Sequence, residues 1–304
     1  MTRANLGRSF TNLNLKSLTN PLCYGSLSAE PARTLAASLV RKLAGGAQAH
    51  LIEAEDGHLY VVKFLNNPQH RRVLINEWIG SGLLRWLNIP TPQTALVGVT
   101  ADFIRRSPVV GIETRRSRLS VEPGWHFGSR FRGHQEDRVC AWLPDSLLRN
   151  VTNLRDFLGV LAFDKWTNNT DARQALFTRR ERRIILTSAE RTVCPLFVEM
   201  IDNASLFGGP TWRFGSSAIQ GLYGRLSVYT DVRGIGDFEP WLSRILDTSA
   251  DLILWLTSQL PRWWTDGESE FLDIVFSQLM RRRARVASLI EDCRNGPTPF
   301  PNWR

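Results

Sequence analysis

The sequence predicts an α+β protein of two lobes, a small strand-rich lobe with one main helix followed by a larger, mainly helical lobe. Three observations predict it. Two short apolar-rich runs between residues 48 and 64 are joined by Glu55-Asp56-Gly57, a hairpin signal with glycine at the turn. From Asn150 onward the hydrophobic spacing changes to longer helical patterns. The 304 residues, 43% hydrophobic and 22% charged, suffice for two cores and exclude wholesale disorder.

Residues 1–30 contain Arg3, Arg8 and Lys16 but no acid before Glu30, and their polar composition predicts a poorly ordered basic extension without a secretory apolar core. The small lobe is expected over 31–140. It opens with a short helix over 31–43, where Leu35, Ala36, Leu39, Val40 and Leu43 have helical spacing and Gly45-Gly46 stop it. Strands follow over 48–54 and 59–64, a helix over 70–87, and strands over 94–99 and 125–131, with an arginine-rich surface excursion over 105–118. The second lobe, 141–304, is expected to hold helices over 154–163, 238–260 and 271–290, with strands over 175–178, 184–187 and 196–201.

A net charge of +9 and a pI near 10.0 point to an anionic partner without choosing its kind. Arg281-Arg282-Arg283 with Arg285 reads as a solvated helix face and the 11 tryptophans as packing residues, so nucleic acid is not the expected partner. No apolar tract reaches the roughly 20 residues of a membrane span. Cys23, Cys140, Cys194 and Cys293 lie far apart, and His50, His58, His70, His126 and His134 have no metal-ligand spacing, which predicts free thiols in a cytoplasmic protein.

The chemistry rests on charged residues in apolar settings. Lys63 ends Val61-Val62-Lys63-Phe64, a strand with two largely apolar faces, where a lysine either snorkels to solvent or meets an anion. Only Lys16, Lys42, Lys63 and Lys165 are lysines among 38 basic residues, and lysine presents a compact charge to a phosphate. Glu77, on the following helix among Val73, Leu74 and Leu84, also needs a partner. A strand lysine paired with a helix glutamate is how protein kinases hold the phosphates of ATP. Downstream lie a polar run from Asp164 to Gln174 and an apolar strand that empties into Asp202. Phosphoryl transfer needs one carboxylate to orient the attacking hydroxyl and another to hold Mg²⁺.

The run Gly45-Gly46-Ala47-Gln48-Ala49, then Asp56-Gly57, Tyr60-Val61-Val62-Lys63-Phe64, Asn76-Glu77 and Ile89-Pro90-Thr91-Pro92, resembles the N-lobe of HipA-like kinases. Phe163-Asp164-Lys165-Trp166, Asn169-x-Asp171-x-Arg173-Gln174 and Ile201-Asp202-Asn203 continue the resemblance over roughly residues 40–215. It implies a bilobal protein-kinase-like fold that binds ATP and Mg²⁺ and transfers the γ-phosphoryl group to a hydroxyl, a protein serine or threonine being one compatible acceptor. By the same resemblance Lys63 contacts the phosphates, Glu77 orients Lys63, Asp171 is the catalytic carboxylate, Asp202 binds the metal, and Gly45 and Gly46 let backbone N–H groups approach the phosphates.

One position departs from the wider kinase pattern. Five residues after Asp171, where an asparagine usually binds metal, stands Leu176. Gln174 can supply the missing oxygen, or a shifted register makes Asp164 catalytic and Asn169 the ligand. Asp171 is preferred because it follows the helix end. Leu176 also keeps open a catalytically weak nucleotide-binding pseudokinase or scaffold.

Overall fold

The computed structural model describes residues 30–132, 139–179, 182–186, 189–193, 195–215, 217–295 and 299–304. Nearly all of the expected 1–30 extension, with Cys23, His134 and Cys194, lies outside them.

The N-terminal part is a closed five-stranded barrel in the order β1-β2-β3-β7-β4. It is built from β1 (Ala32–Lys42), β2 (His50–Ala54), β3 (Leu59–Lys63), α1 (Arg72–Trp86), β4 (Thr94–Val99), α2 (Ala101–Arg106), β5 (Ile112–Glu113), β6 (Arg118–Leu119) and β7 (Gly124–Phe131). The helix expected over 31–43 is instead β1, paired with β2 on one side and parallel to β4 on the other. Register shifts at Ala36/Ser38 and Leu39/Arg41 break the two-residue alternation of β1, so its apolar residues fall at helix-like intervals. Pairing on both edges overrides that local spacing. Tyr60, Val62 and Phe64 point into the barrel core with Ile52, Ala95 and Val97. Alternation therefore turns Lys63 outward, toward α1.

Twelve consecutive residues of α1, from Val73 to Leu84, are buried. Asn88, with φ of +60°, ends the helix; its N–H bonds Arg85 O (3.0 Å), and the Ile89 N–H bonds Leu84 O (2.9 Å). The C-terminal part begins with β8 (Val139–Cys140), α3 (Asp145–Leu148) and α4 (Asp156–Thr167). Strands β9 (Gln174–Arg179), β10 (Arg182–Leu186), β11 (Ala189–Val193) and β12 (Leu196–Ile201) follow. They form a β12-β9-β8 sheet and a separate β10-β11 hairpin whose second strand the sequence reading lacks. Helices α5 (Trp241–Leu246), α6 (Ala250–Ser258), α7 (Arg262–Thr265), α8 (Ser269–Arg282) and α9 (Val286–Glu291) complete the chain. The expected 238–260 segment is thus split, α6 taking its own cap from Ser249 Oγ to Leu252 N–H (3.2 Å).

Two of the four clustered arginines are not a solvated face. Arg282 Nε donates to Lys165 O (2.6 Å), and Arg283 donates to the carbonyls of Leu246 and Thr248. Trp264 is buried and donates its Nε1–H to Trp125 O (2.9 Å), joining α7 to the barrel.

Close approach fixes α1 against the C-terminal part. A Cβ on Gly80 would stand 2.4 Å from Leu206 Cδ1 and 2.8 Å from Asn203 Cβ. Gly80→Ala gains about 1 kcal/mol of helix propensity but overpacks by about 1–3 kcal/mol. Net destabilisation is expected in chemical denaturation, and a stabilised variant would disprove the tight contact.

His126 lies buried on β7, accepting from Leu65 N–H at Nδ1 (2.9 Å) and lying 3.0 Å from Glu122 O at Nε2. Burial lowers its pKa to about 4. The unfolded chain therefore takes up this proton first on acidification, so the contribution to stability is complete above about pH 6.5 and is lost as pH falls toward 4. Between pH 7 and 5 the loss from His126 is about 2 kcal/mol. Denaturant unfolding across that range should show a slope that flattens in His126→Asn, and equal slopes in the two proteins would refute the assignment.

Candidate functional site

Strand β3, helix α1 and the end of β12 converge on three charges. The Lys63 ammonium is bonded to the Glu77 carboxylate and lies 2.9 Å from Asp202 Oδ1. Burial alone would lower the Lys63 pKa, but the two carboxylates raise it above the ordinary lysine value. Burial likewise opposes ionisation of Asp202, and Lys63 outweighs it, so the Asp202 pKa is lowered. Burial holds the Glu77 pKa above the ordinary carboxylate value against the pull of Lys63, and Asp202 adds to that rise. Asp202 sits at φ of +61°, an uncommon backbone for a residue other than glycine, at the point where β12 ends.

Gln174 opens β9 opposite Ile201 and donates Nε2–H to Asp202 Oδ2 (2.8 Å). The structure thereby brings Gln174 and Asp202 together. Asp202 carboxylate and Gln174 amide oxygens are hard donors that fit Mg²⁺ or Mn²⁺ better than a soft metal. Asn169 is engaged elsewhere: its Nδ2 donates to Asp164 Oδ1 (3.0 Å), and its Oδ1 accepts from Asp171 N–H (3.2 Å). Leu176 is the third residue of β9, two beyond Gln174. With Arg41, Phe131, Val139 and Ala141 it lines a cavity of about 540 Å³ between the barrel and the C-terminal sheet.

Helix α4 continues to Thr167, so Asp164 lies inside it, and Asn168 in the left-handed region ends it. Asp164 is fully buried and gives both oxygens to Arg173, with Arg173 Nε 3.0 Å from Oδ2. Asp171 lies beyond the helix on an exposed loop, where its Oδ1 accepts from Ala172 N–H (2.8 Å). Bonds from Thr170 N–H to Ser205 O (3.0 Å) and from Gly208 N–H to Asn168 O (3.1 Å) hold this loop against the segment after Asp202.

Gly45 and Gly46 lie in the turn between β1 and β2, closed by Leu43 N–H to Ala49 O (2.8 Å). Gly45 has φ of +126°, which glycine alone adopts readily. Asn67 Nδ2 donates to Ala47 O (3.1 Å) and ties this turn to the approach to α1.

The sequence reading gave no role to Arg173, which braces the site. Its Nη1 donates to Ile201 O (2.9 Å), Asp202 O (3.2 Å) and Asn203 Oδ1 (3.0 Å). Its sequence signals were a basic residue within a polar run that also holds Asp164 and a place in Asn169-x-Asp171-x-Arg173-Gln174. Asn76 acts similarly, donating to Ala204 O (2.7 Å) and Leu206 O (3.0 Å) while accepting from Trp212 Nε1–H (2.8 Å).

Arg173→Met would strand the Asp164 carboxylate in the core and is expected to cost about 3–5 kcal/mol. Adding Asp164→Leu should recover part of that loss, because the uncompensated charge is removed. Denaturant unfolding of both proteins checks this, and a single variant within about 1 kcal/mol of wild type would refute the brace.

No curated protein matches the chain. Two crystal structures of the Golgi casein kinase are similar at 10% identity over 88% of this chain. One, with Mn/ADP bound, is covered over 74% of its length with a TM-score of 0.45; the other is covered over 75% with a TM-score of 0.43. Likeness at that level is loose. The HipA-like kinase family model matches residues 37–193, which include Lys63, Glu77, Asp171 and Gln174 and stop short of Asp202. That match takes in more than half of the 304 residues, and the chain belongs to the HipA-like kinase family.

Proposed function

We propose that the protein is an ATP- and Mg²⁺-dependent kinase that transfers the γ-phosphoryl group to a hydroxyl, a protein serine or threonine being the first acceptor class to test. The observation that carries this reading is the Lys63 ammonium held between Glu77 and Asp202, three residues that only tertiary folding unites. Lys63 stays charged through its carboxylate neighbours and can bind an anionic phosphate, while Glu77 fixes its direction. Asp202 and Gln174 would hold Mg²⁺, which when bound supplies charge neutralisation at the phosphates. Asp171, exposed at its loop, would orient the acceptor hydroxyl and accept its proton as the new P–O bond forms and ADP leaves. The cavity between the barrel and the C-terminal sheet is a suitable place for the nucleoside, with Leu176 as an apolar wall.

The full engagement of Asp164 by Arg173 supports Asp171 as the catalytic carboxylate. The contact between Gln174 and Asp202 supports an active enzyme over the pseudokinase reading: the amide meets the carboxylate through Nε2–H, and turning it over would bring its oxygen to the same place. The lobe boundary near residue 140 is part of this proposal.

Transfer of labelled γ-phosphate by the purified protein tests the reaction. Asp171→Ala should lower kcat by about 10²–10⁴-fold while ATP binding persists, and Lys63→Met should weaken ATP binding. Chelation by EDTA should abolish transfer and added Mg²⁺ restore it, with Gln174→Leu raising the Mg²⁺ requirement by about 10–100-fold. Equal rates for folded wild type and Asp171→Ala would overturn the catalytic assignment.

A further inference from the structure

Helix α1 carries Glu77, and its first turn runs against ordinary helix chemistry. No acidic residue lies in that turn, and the N-cap position, Arg71, makes no side-chain cap. Arginines at a helix N-terminus face the positive end of the helix dipole and need a compensating anion. Glu268, almost wholly buried just before α8, supplies it. Its Oε2 accepts from Arg72 Nη2 (2.6 Å) and Nε (2.9 Å), and its Oε1 lies 3.5 Å from Arg71 Nε.

Arg72 does more than pair with this carboxylate. Its Nη1 donates to Pro210 O (3.2 Å), and its guanidinium lies 4.3 Å from the centre of the Trp212 ring and 4.6 Å from that of Phe271. Trp212 in turn donates to Asn76, one helical turn further along α1 and next to Glu77. One side chain therefore joins the first turn of the Glu77 helix to α8 and to the segment that follows Asp202. With residues 73–84 of α1 buried, outward rotation would expose apolar surface whichever way the helix turned.

We propose that Arg72 is a positioning residue that keeps Glu77 against Lys63 before nucleotide, partner or modification arrives, so that the ion-pair clamp is permanently assembled. The proposal rests on the kinase reading of that clamp. A fork that reaches one carboxylate and one carbonyl while stacked between two rings calls for arginine; lysine has the charge without the planar fork.

Hydrogen exchange over residues 72–86 tests the latch without requiring activity. In the wild-type protein, exchange should be equally slow with and without ATP and Mg²⁺. In Arg72→Ala it should be faster without ligand and slow again with it, while α4 keeps its protection. In the transfer assay Arg72→Ala should raise the KM for ATP by about 10–100-fold, with Arg72→Lys in between. Should Arg72→Ala not fold, Glu268→Gln, which keeps a neutral acceptor, is expected to show the same pattern in weaker form. Wild-type protection of α1 that appears only with nucleotide overturns the proposal, as do wild-type exchange and kinetics in a folded Arg72→Ala protein. A wild-type protein that neither binds ATP nor transfers phosphate defeats the kinase reading instead, and the ligand-free exchange difference between wild type and Arg72→Ala still decides the latch.

Discussion

The structure depends on one buried ammonium shared by two carboxylates. Lys63 leaves the outer face of the barrel, Glu77 comes from a helix buried along most of its length, and Asp202 stands where β12 ends. None of these charges would be tolerable alone in such surroundings, because desolvation of an unpaired ion costs several kcal/mol. Their mutual attraction fixes the relative positions of β3, α1 and β12. Asp202, the less buried of the two carboxylates, gives the same place an oxygen donor for a cation.

A second buried pair holds the frame around the first. Arg173 spends two of its nitrogens on Asp164 and a third on the backbone at Ile201 and Asp202 and on the Asn203 side chain. Asn203 passes the connection to α1 through Ser81 Oγ (3.2 Å). The loop with Asp171 springs from the same helix as Asp164, so the exposed carboxylate is anchored by the buried one seven residues earlier. This division of labour explains why two aspartates in one polar run have such different environments.

Much of the fold was legible because its patterns are local. The β2-β3 hairpin, α1, β4, β7, β9 and β12 all occur where alternation or helical spacing placed them. Strand β1 was not legible, since two register shifts disguise its alternation and its parallel partner β4 is distant in sequence. Lys63, Glu77 and Asp202 could be singled out because each is charged and interrupts an apolar stretch. Arg173 and Arg72 could not: arginine is abundant in this chain, and each acts through carbonyls, carboxylates or rings that only folding brings to it.

The sequence by itself determined most of the kinds of element, the order of the charged residues and the family to which they belong. Those follow from periodicity and motif, which are properties of neighbouring residues. Only the tertiary structure decided which carboxylate Lys63 meets besides Glu77, that Asp164 is committed to Arg173, that Gln174 rather than Asn169 stands beside Asp202, and that Leu176 lines a cavity. The reason is physical: a charge inside a protein is defined by what else is buried with it, and those groups lie up to 139 residues apart in the chain.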